Sequence, residues 1–183
     1  MLRAMGGIEP TDERMVVMDI ARFTKESLMR EPVKAYLIER GFFPAVEFWL
    51  HGCGPSDIVA GSYAKREGRK IPKLWEVVAV ELKLSDFATV LMQAKRNKHL
   101  CDWSYIAFPV ERIEKMRDAT KQAIRDAGVG LLSVGDEVVE VITPQKGGGL
   151  PGGRNQVKTL WRRVRHLADT MDSNMNMRDG NND

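Results

Sequence analysis

Apolar and polar positions alternate along this chain at two different periods, and the switches between them outline its elements. From Thr24 the period is helical, with Leu28, Val33, Tyr36 and Leu37 on one side and Met29 beside them. Thr24 suits an N-cap and Gly41 a C′ position. Pro32, which removes a backbone donor, is expected to kink or split this helix. FPAVEFWLH (43–51) is aromatic and β-branched and predicts a strand, and GCGPS after it is turn chemistry. DIVAG (57–61) predicts a second short strand. The polar, basic stretch 62–73, with Gly68 and Pro72, predicts a loop or hairpin tip.

WEVVAVELKL (75–84) is the strongest strand pattern. Its alternation sends Trp75, Val77, Ala79, Glu81 and Lys83 one way and Glu76, Val78, Val80, Leu82 and Leu84 the other. Ser85 and Asp86 supply an N-cap and a first-turn acid for a helix reaching about His99. DWSYIAFP (102–109) predicts a strand, VERIEKMRDATKQAIRDAG (110–128) one amphipathic helix closed by Gly128, and GLLSV (130–134) and EVVEVI (137–142) two short strands. This order predicts an α/β fold, a mixed central sheet flanked by helices.

Three segments follow from the same pattern. Residues 1–20 lack periodicity and are expected to form a flexible arm, and 21–144 form the domain. Residues 145–183 combine a Gly-rich linker, a short basic helix at 155–169 around Leu160, Trp161, Val164 and Leu167, and a polar tail without core residues.

Composition narrows the class only a little. A chain of 183 residues, 43% hydrophobic and 29% charged, suits one self-supporting globular domain. Cys53 and Cys101 make no disulfide framework and suit a reducing compartment. No signal-peptide core or membrane span is legible, so the expected location is the cytoplasm, or a host cytoplasm for a phage-encoded protein. Net charge is only +3, but basic residues cluster: Lys65, Arg66, Arg69, Lys70 and Lys73; then Lys95, Arg96 and Lys98; then Arg154, Lys158, Arg162, Arg163 and Arg165. A solvated face accounts for any one cluster. Three around an acidic centre favour nucleic-acid phosphates.

That acidic centre is the chemistry the pattern singles out. Asp57 opens a strand after a proline-containing turn, and Glu81 and Lys83 share a face near the end of an otherwise apolar strand. Charge there is costly unless partners or a metal compensate it. Two carboxylates at adjacent strand ends can hold a hard divalent cation, Mg²⁺ or Mn²⁺, with waters completing the shell and the Leu82 carbonyl offering a further oxygen. Such a cation polarises a phosphoryl oxygen and acidifies water, and a neighbouring lysine can orient that water or stabilise developing negative charge.

Pro55-Ser56-Asp57, a spacer, then Glu81-Leu82-Lys83 resembles the motif of the PD-(D/E)xK nuclease superfamily. Gln93 in the following helix (LMQAKRN), the YIAFP strand and the leading helix ending near Gly41 extend the resemblance from about Thr24 to Ile142. It implies a restriction-endonuclease-like αββα core with Asp57, Glu81 and Lys83 catalytic and Gln93 helping to position the site. It also implies a helper acid on the first helix, for which Glu26 fits best and Glu31 next. The spacer between Asp57 and Glu81 is long and basic, a departure that reads as an inserted hairpin touching substrate.

Other candidates take plainer readings. The H-x-C pairs His51/Cys53 and His99/Cys101 are tighter than zinc-ribbon spacings and read as coincidence. Trp49, Trp75 and Trp103 read as core or groove wall. Gly147–Gly149 and Gly152–Gly153 lack the lysine and hydroxyl of a P-loop and read as linker.

The resulting expectation is a Mg²⁺-dependent deoxyribonuclease, endonucleolytic rather than exonucleolytic, structure-directed or nonspecific, with no organic cofactor and no membrane partner. A homodimer would suit cleavage of two strands. The alternatives are a non-catalytic DNA-binding or assembly subunit on the same fold, and an unrelated α/β protein in which Glu81 and Lys83 merely pair.

Overall fold

In the computed structural model, residues 22–50, 54–64, 73–148 and 158–167 are described. A 3₁₀ turn, Glu26–Met29, leads into α1 (Arg30–Glu39). The chain then forms β1 (Phe43–Leu50), β2 (Gly54–Ala64) and β3 (Lys73–Leu82). Helix α2 (Phe87–Lys98), strand β4 (Trp103–Pro109), helices α3 (Val110–Glu114) and α4 (Asp118–Asp126), and strands β5 (Gly130–Val134) and β6 (Val138–Ile142) follow. Residues 158–167 form α5.

The strands make one six-stranded mixed sheet in chain order. β1, β2 and β3 are an antiparallel meander; β3, β4 and β5 run parallel; β6 returns antiparallel. The parallel pairs need crossover connections, and α2 and the α3–α4 segment supply them.

The alternation expected of β3 sorts its residues between the two faces. Val78, Val80 and Leu82 join Met29, Val33, Tyr36 and Leu37 of the leading helix, together with Ile58, Ala107 and Leu132. Val77 and Ala79 face the other side, with Val59, Cys101 and Leu160 and Val164 of α5. On that side Val90 and Ala94 of α2 also pack over Ile106, Phe108, Ile124 and Leu131.

α5 is therefore seated on the sheet. Its Leu160 and Val164 are fully buried, and its Trp161 ring lies 5.0 Å from that of Tyr63. Leu160→Ala should lower stability by about 3 kcal/mol, read as a urea midpoint shift with unchanged slope. A shift below about 0.5 kcal/mol, the surface-substitution range, would contradict this packing.

Several expectations need correction. The leading helix splits before Pro32 rather than at it. Pro32 falls in the first turn of α1, where a missing N–H costs nothing. The 3₁₀ turn shifts the phase ahead of it, so Met29 is buried and Leu28 is 50% exposed. The second strand starts at Gly54 and extends to Ala64. The single helix expected over 110–128 breaks at 115–117, where Arg117 turns extended and Ile113, Met116 and Ile124 still enter one cluster.

Trp49 and Trp75 are not core, being 65% and 60% exposed. Trp75 leaves the alternation where the β2–β3 register shifts from Ser62↔Glu76 to Tyr63↔Leu74, and Trp49 stands out between buried Phe48 and Leu50, with no described element packed over it. Trp103 is half-buried at the margin of the α1-side cluster. Thr24 makes no cap; Asp86 does, its Oδ1 accepting from Thr89 N at 3.1 Å. Gly41 and Gly128 close α1 and α4 at positive φ. Among the described residues no helix is long and apolar enough to cross a membrane.

Candidate functional site

The meander register assembles the acidic centre. Val46 pairs with Ile58, and Phe48 with Ser56; Ile58 pairs with Val80. Between and one step beyond those pairs, Glu47, Asp57 and Glu81 form a row across three strands. Glu47 is the one described non-glycine residue with positive φ, at 49°. That conformation is costly for an L side chain within a strand and tends to cluster at functional sites. Its carboxylate pairs with Arg30 at 2.7 Å.

Asp57 and Glu81 differ sharply in environment. Asp57 is half-buried, and its Oδ2 accepts from the Leu82 N–H at 2.9 Å. In a strand the N–H and C=O of one residue point to the same edge, so the Leu82 carbonyl also faces the Asp57 side. The Lys83 N–H turns the other way, to Ala107 O.

Glu81 is 3% exposed, and Asn97 Nδ2 donates to its Oε1 at 2.6 Å. Burial pushes the Glu81 carboxyl up to about 7. Hydrogen bonds from Ser56 and Asn97 oppose the rise, and the Asp57 carboxylate adds to it. Two carboxylates thus face each other, one of them buried.

Lys83 does not offset their charge by contact. Its Nζ donates to Glu26 Oε2 at 3.0 Å. Burial works against the ammonium, but the Glu26 hydrogen bond and the charges of Glu26, Asp57 and Glu81 outweigh it and raise the Lys83 pKa. Glu26, on the 3₁₀ turn, is joined to the centre through this lysine. Glu31 pairs instead with Lys34, 2.9 Å away on its own helix.

Gln93 lies on the inner side of α2, and its Oε1 is buried without a hydrogen-bond partner. No hydrogen bond links it to Asp57, Glu81 or Lys83. The α2 residue that reaches the acidic pair is Asn97, one turn further on, with Ser56 of β2 beside it, 3.4 Å from the amide nitrogen. Sequence pattern alone had singled out neither as a functional residue. The signal was present in Asn97, which continues the buried Val90–Ala94 stripe of an otherwise apolar helix face.

The basic residues distribute unevenly. Lys65, Arg66, Arg69 and Lys70 lie outside the described residues, as do His51 and Cys53. Lys73 opens β3 at the end opposite Glu81, about 26 Å along an extended strand. Its amine sits over the Trp75 ring at 4.3 Å. Lys95 and Arg96 are exposed on α2 beside a groove floored by Phe87, Leu91 and Met92. Arg162 is exposed; Arg163 donates to the Val46 carbonyl at 3.3 Å, next to the acidic row.

The donor set can hold a hard cation through the two carboxylates and the Leu82 carbonyl, with waters supplying the remainder. Among the described residues no three or more His, Cys, Asp or Glu side chains are grouped so as to hold a metal ion, so a cation here would rest on two carboxylates. Mg²⁺ is commonly held by one or two carboxylates and several waters, so these residues fit it.

No protein-family model matches the chain, and no curated protein does. A solved structure, the SPO1766 protein of unknown function from Silicibacter pomeroyi, is similar at 18% identity and a TM-score of 0.49. The match covers 83% of this chain and 91% of that one. A likeness at this level carries nothing about activity.

Proposed function

We propose that this chain is a Mg²⁺- or Mn²⁺-dependent nuclease that hydrolyses DNA phosphodiester bonds on a restriction-endonuclease-like αββα core. The observation that carries the reading is the opposed Asp57–Glu81 pair. Its inner carboxylate is raised to about 7 by burial and by the facing Asp57, with an ammonium two residues on. A purely structural ion pair would set Lys83 against Glu81; here the lysine is tied to Glu26 and the acidic pair is left open to another charge. The order α1, β1–β3 meander, α2 and β4, with the acids at β2 and the end of β3, agrees with that core.

When bound, the cation would polarise the scissile phosphoryl oxygen and acidify the attacking water. Asp57 and Glu81 would hold it, Asp57 fixed by the Leu82 N–H and Glu81 by Asn97. Lys83, kept charged by Glu26, would face the developing negative charge on the phosphoryl oxygens. Lys95, Arg96, Arg162 and Arg163 would contact flanking phosphates. Such contacts read no base edges, so cutting is structure-directed or nonspecific.

Lys83→Met tests the assignment of the lysine. Cleavage is expected to fall about 100-fold while Mg²⁺ binding and DNA affinity in EDTA persist. Equal cleavage by the variant would remove Lys83 from the mechanism. A folded parent that binds DNA and never cuts it would favour the non-catalytic subunit.

A further inference from the structure

We infer that Asn97 is a positioning residue that biases the Asp57–Glu81 pair toward Mg²⁺ over Ca²⁺ by making Glu81 a one-oxygen ligand. The inference rests on the metal-site reading above and deepens it. Asn97 is 4% exposed, and its 2.6 Å bond engages Glu81 Oε1. The same nitrogen lies 3.4 Å from Ser56 Oγ, so both of its protons have acceptors. Ser56 is itself buried and 3.4 Å from the Ile58 carbonyl, which ties the network to the β2 backbone.

Turning Oε1 toward a cation would break a short charge-assisted bond and strand an amide in the core. Asn97 cannot follow the carboxylate. Val90 and Ala94 of the same helix are fully buried, and the Ser104 hydroxyl clasps the Ala94 carbonyl at 2.8 Å. Ser56 and Asp57 also meet the Glu81 carboxylate, and with Oε1 held by Asn97, Oε2 is the oxygen a cation would take. A single carboxylate oxygen with waters suits the small octahedral Mg²⁺, whereas Ca²⁺ takes six to eight oxygens and often grips carboxylates through both. Asn97 touches neither substrate nor cation, and its effect passes through Glu81.

The test is calorimetric titration of Mg²⁺, and separately of Ca²⁺, into metal-free wild type and Asn97→Ala. Asn97→Ser, whose hydroxyl is too short to reach Glu81, is included in case the alanine variant does not fold. Outer-shell partners of metal ligands are commonly worth about 10- to 100-fold in affinity. Mg²⁺ affinity should fall about 10-fold in either variant, with Ca²⁺ affinity held or raised, so the ratio moves toward Ca²⁺. An unchanged Mg²⁺/Ca²⁺ ratio, whatever the loss in melting temperature, overturns the role of Asn97 and leaves the metal site standing. Failure of folded wild type to bind Mg²⁺ overturns both.

Discussion

Glu81→Gln is expected to abolish metal-dependent cleavage and, at pH 8 in EDTA, to make the protein more stable than wild type. The cause is the cost of holding a carboxylate inside the sheet. Folding raises the Glu81 carboxyl from its ordinary 4.5 to about 7, so the folded chain binds a proton that the unfolded chain releases. The sign follows from linkage: the protonated group favours the fold fully below about pH 4.5, and that contribution is lost as pH rises through about 7. By pH 8 the deprotonated group costs about 3 kcal/mol.

Glutamine keeps an acceptor for Asn97 and carries no charge against Asp57. The gain on substitution should therefore be near zero at pH 4.5 and grow toward about 3 kcal/mol at pH 8. Urea titrations at the two pH values measure it. A variant equally destabilised at both would mean that Glu81 is not held charged against its environment. The stability withheld at neutral pH would be the cost of a ligand kept ready for a cation.

Asp57→Asn is the second large effect. The asparagine carbonyl can still accept from the Leu82 N–H, so the pairing of β2 with β3 should survive. The anionic ligand does not survive. Loss of metal charge stabilisation worth several kcal/mol corresponds to about 10³-fold or more in rate. Because the Asp57 charge also helps raise Glu81, the variant should be at least as stable as wild type at pH 8. Inactivity together with collapse of the fold would instead assign Asp57 a structural role.

Much of this architecture was legible because particular residues carry unambiguous physics. The alternation around Val77–Leu82 could only be a strand with two packed faces, but β3 ends at Leu82, and Lys83 beyond it reaches Glu26 while Glu81 reaches Asn97 of α2. Asp86, Gly41 and Gly128 marked element ends through capping and positive φ. The errors arose where local pattern lacks the information. Leu28 and Met29 differ in burial because a 3₁₀ turn changes the period by a fraction of a residue. Trp75 leaves the alternation at a shift in the β2–β3 register, which local pattern does not foretell, and whether a helix lies above Trp49 is set by elements distant in sequence. Asn97 becomes meaningful only once α2 is laid across β2 and β3, which brings it 41 residues back to Ser56. The strain at Glu47 has no sequence signature, because glutamate is an ordinary strand-edge residue.

The central claim is that the Asp57–Glu81 pair serves metal-dependent hydrolysis of DNA. Its most direct test incubates wild type and Asp57→Asn with labelled duplex, single-stranded, flapped and branched DNAs in Mg²⁺, Mn²⁺ or EDTA. The account predicts products from at least one substrate with Mg²⁺ or Mn²⁺, none in EDTA, and none from the folded variant. Products that persist in EDTA or in Asp57→Asn, or no products from any substrate with folded wild type, would contradict it.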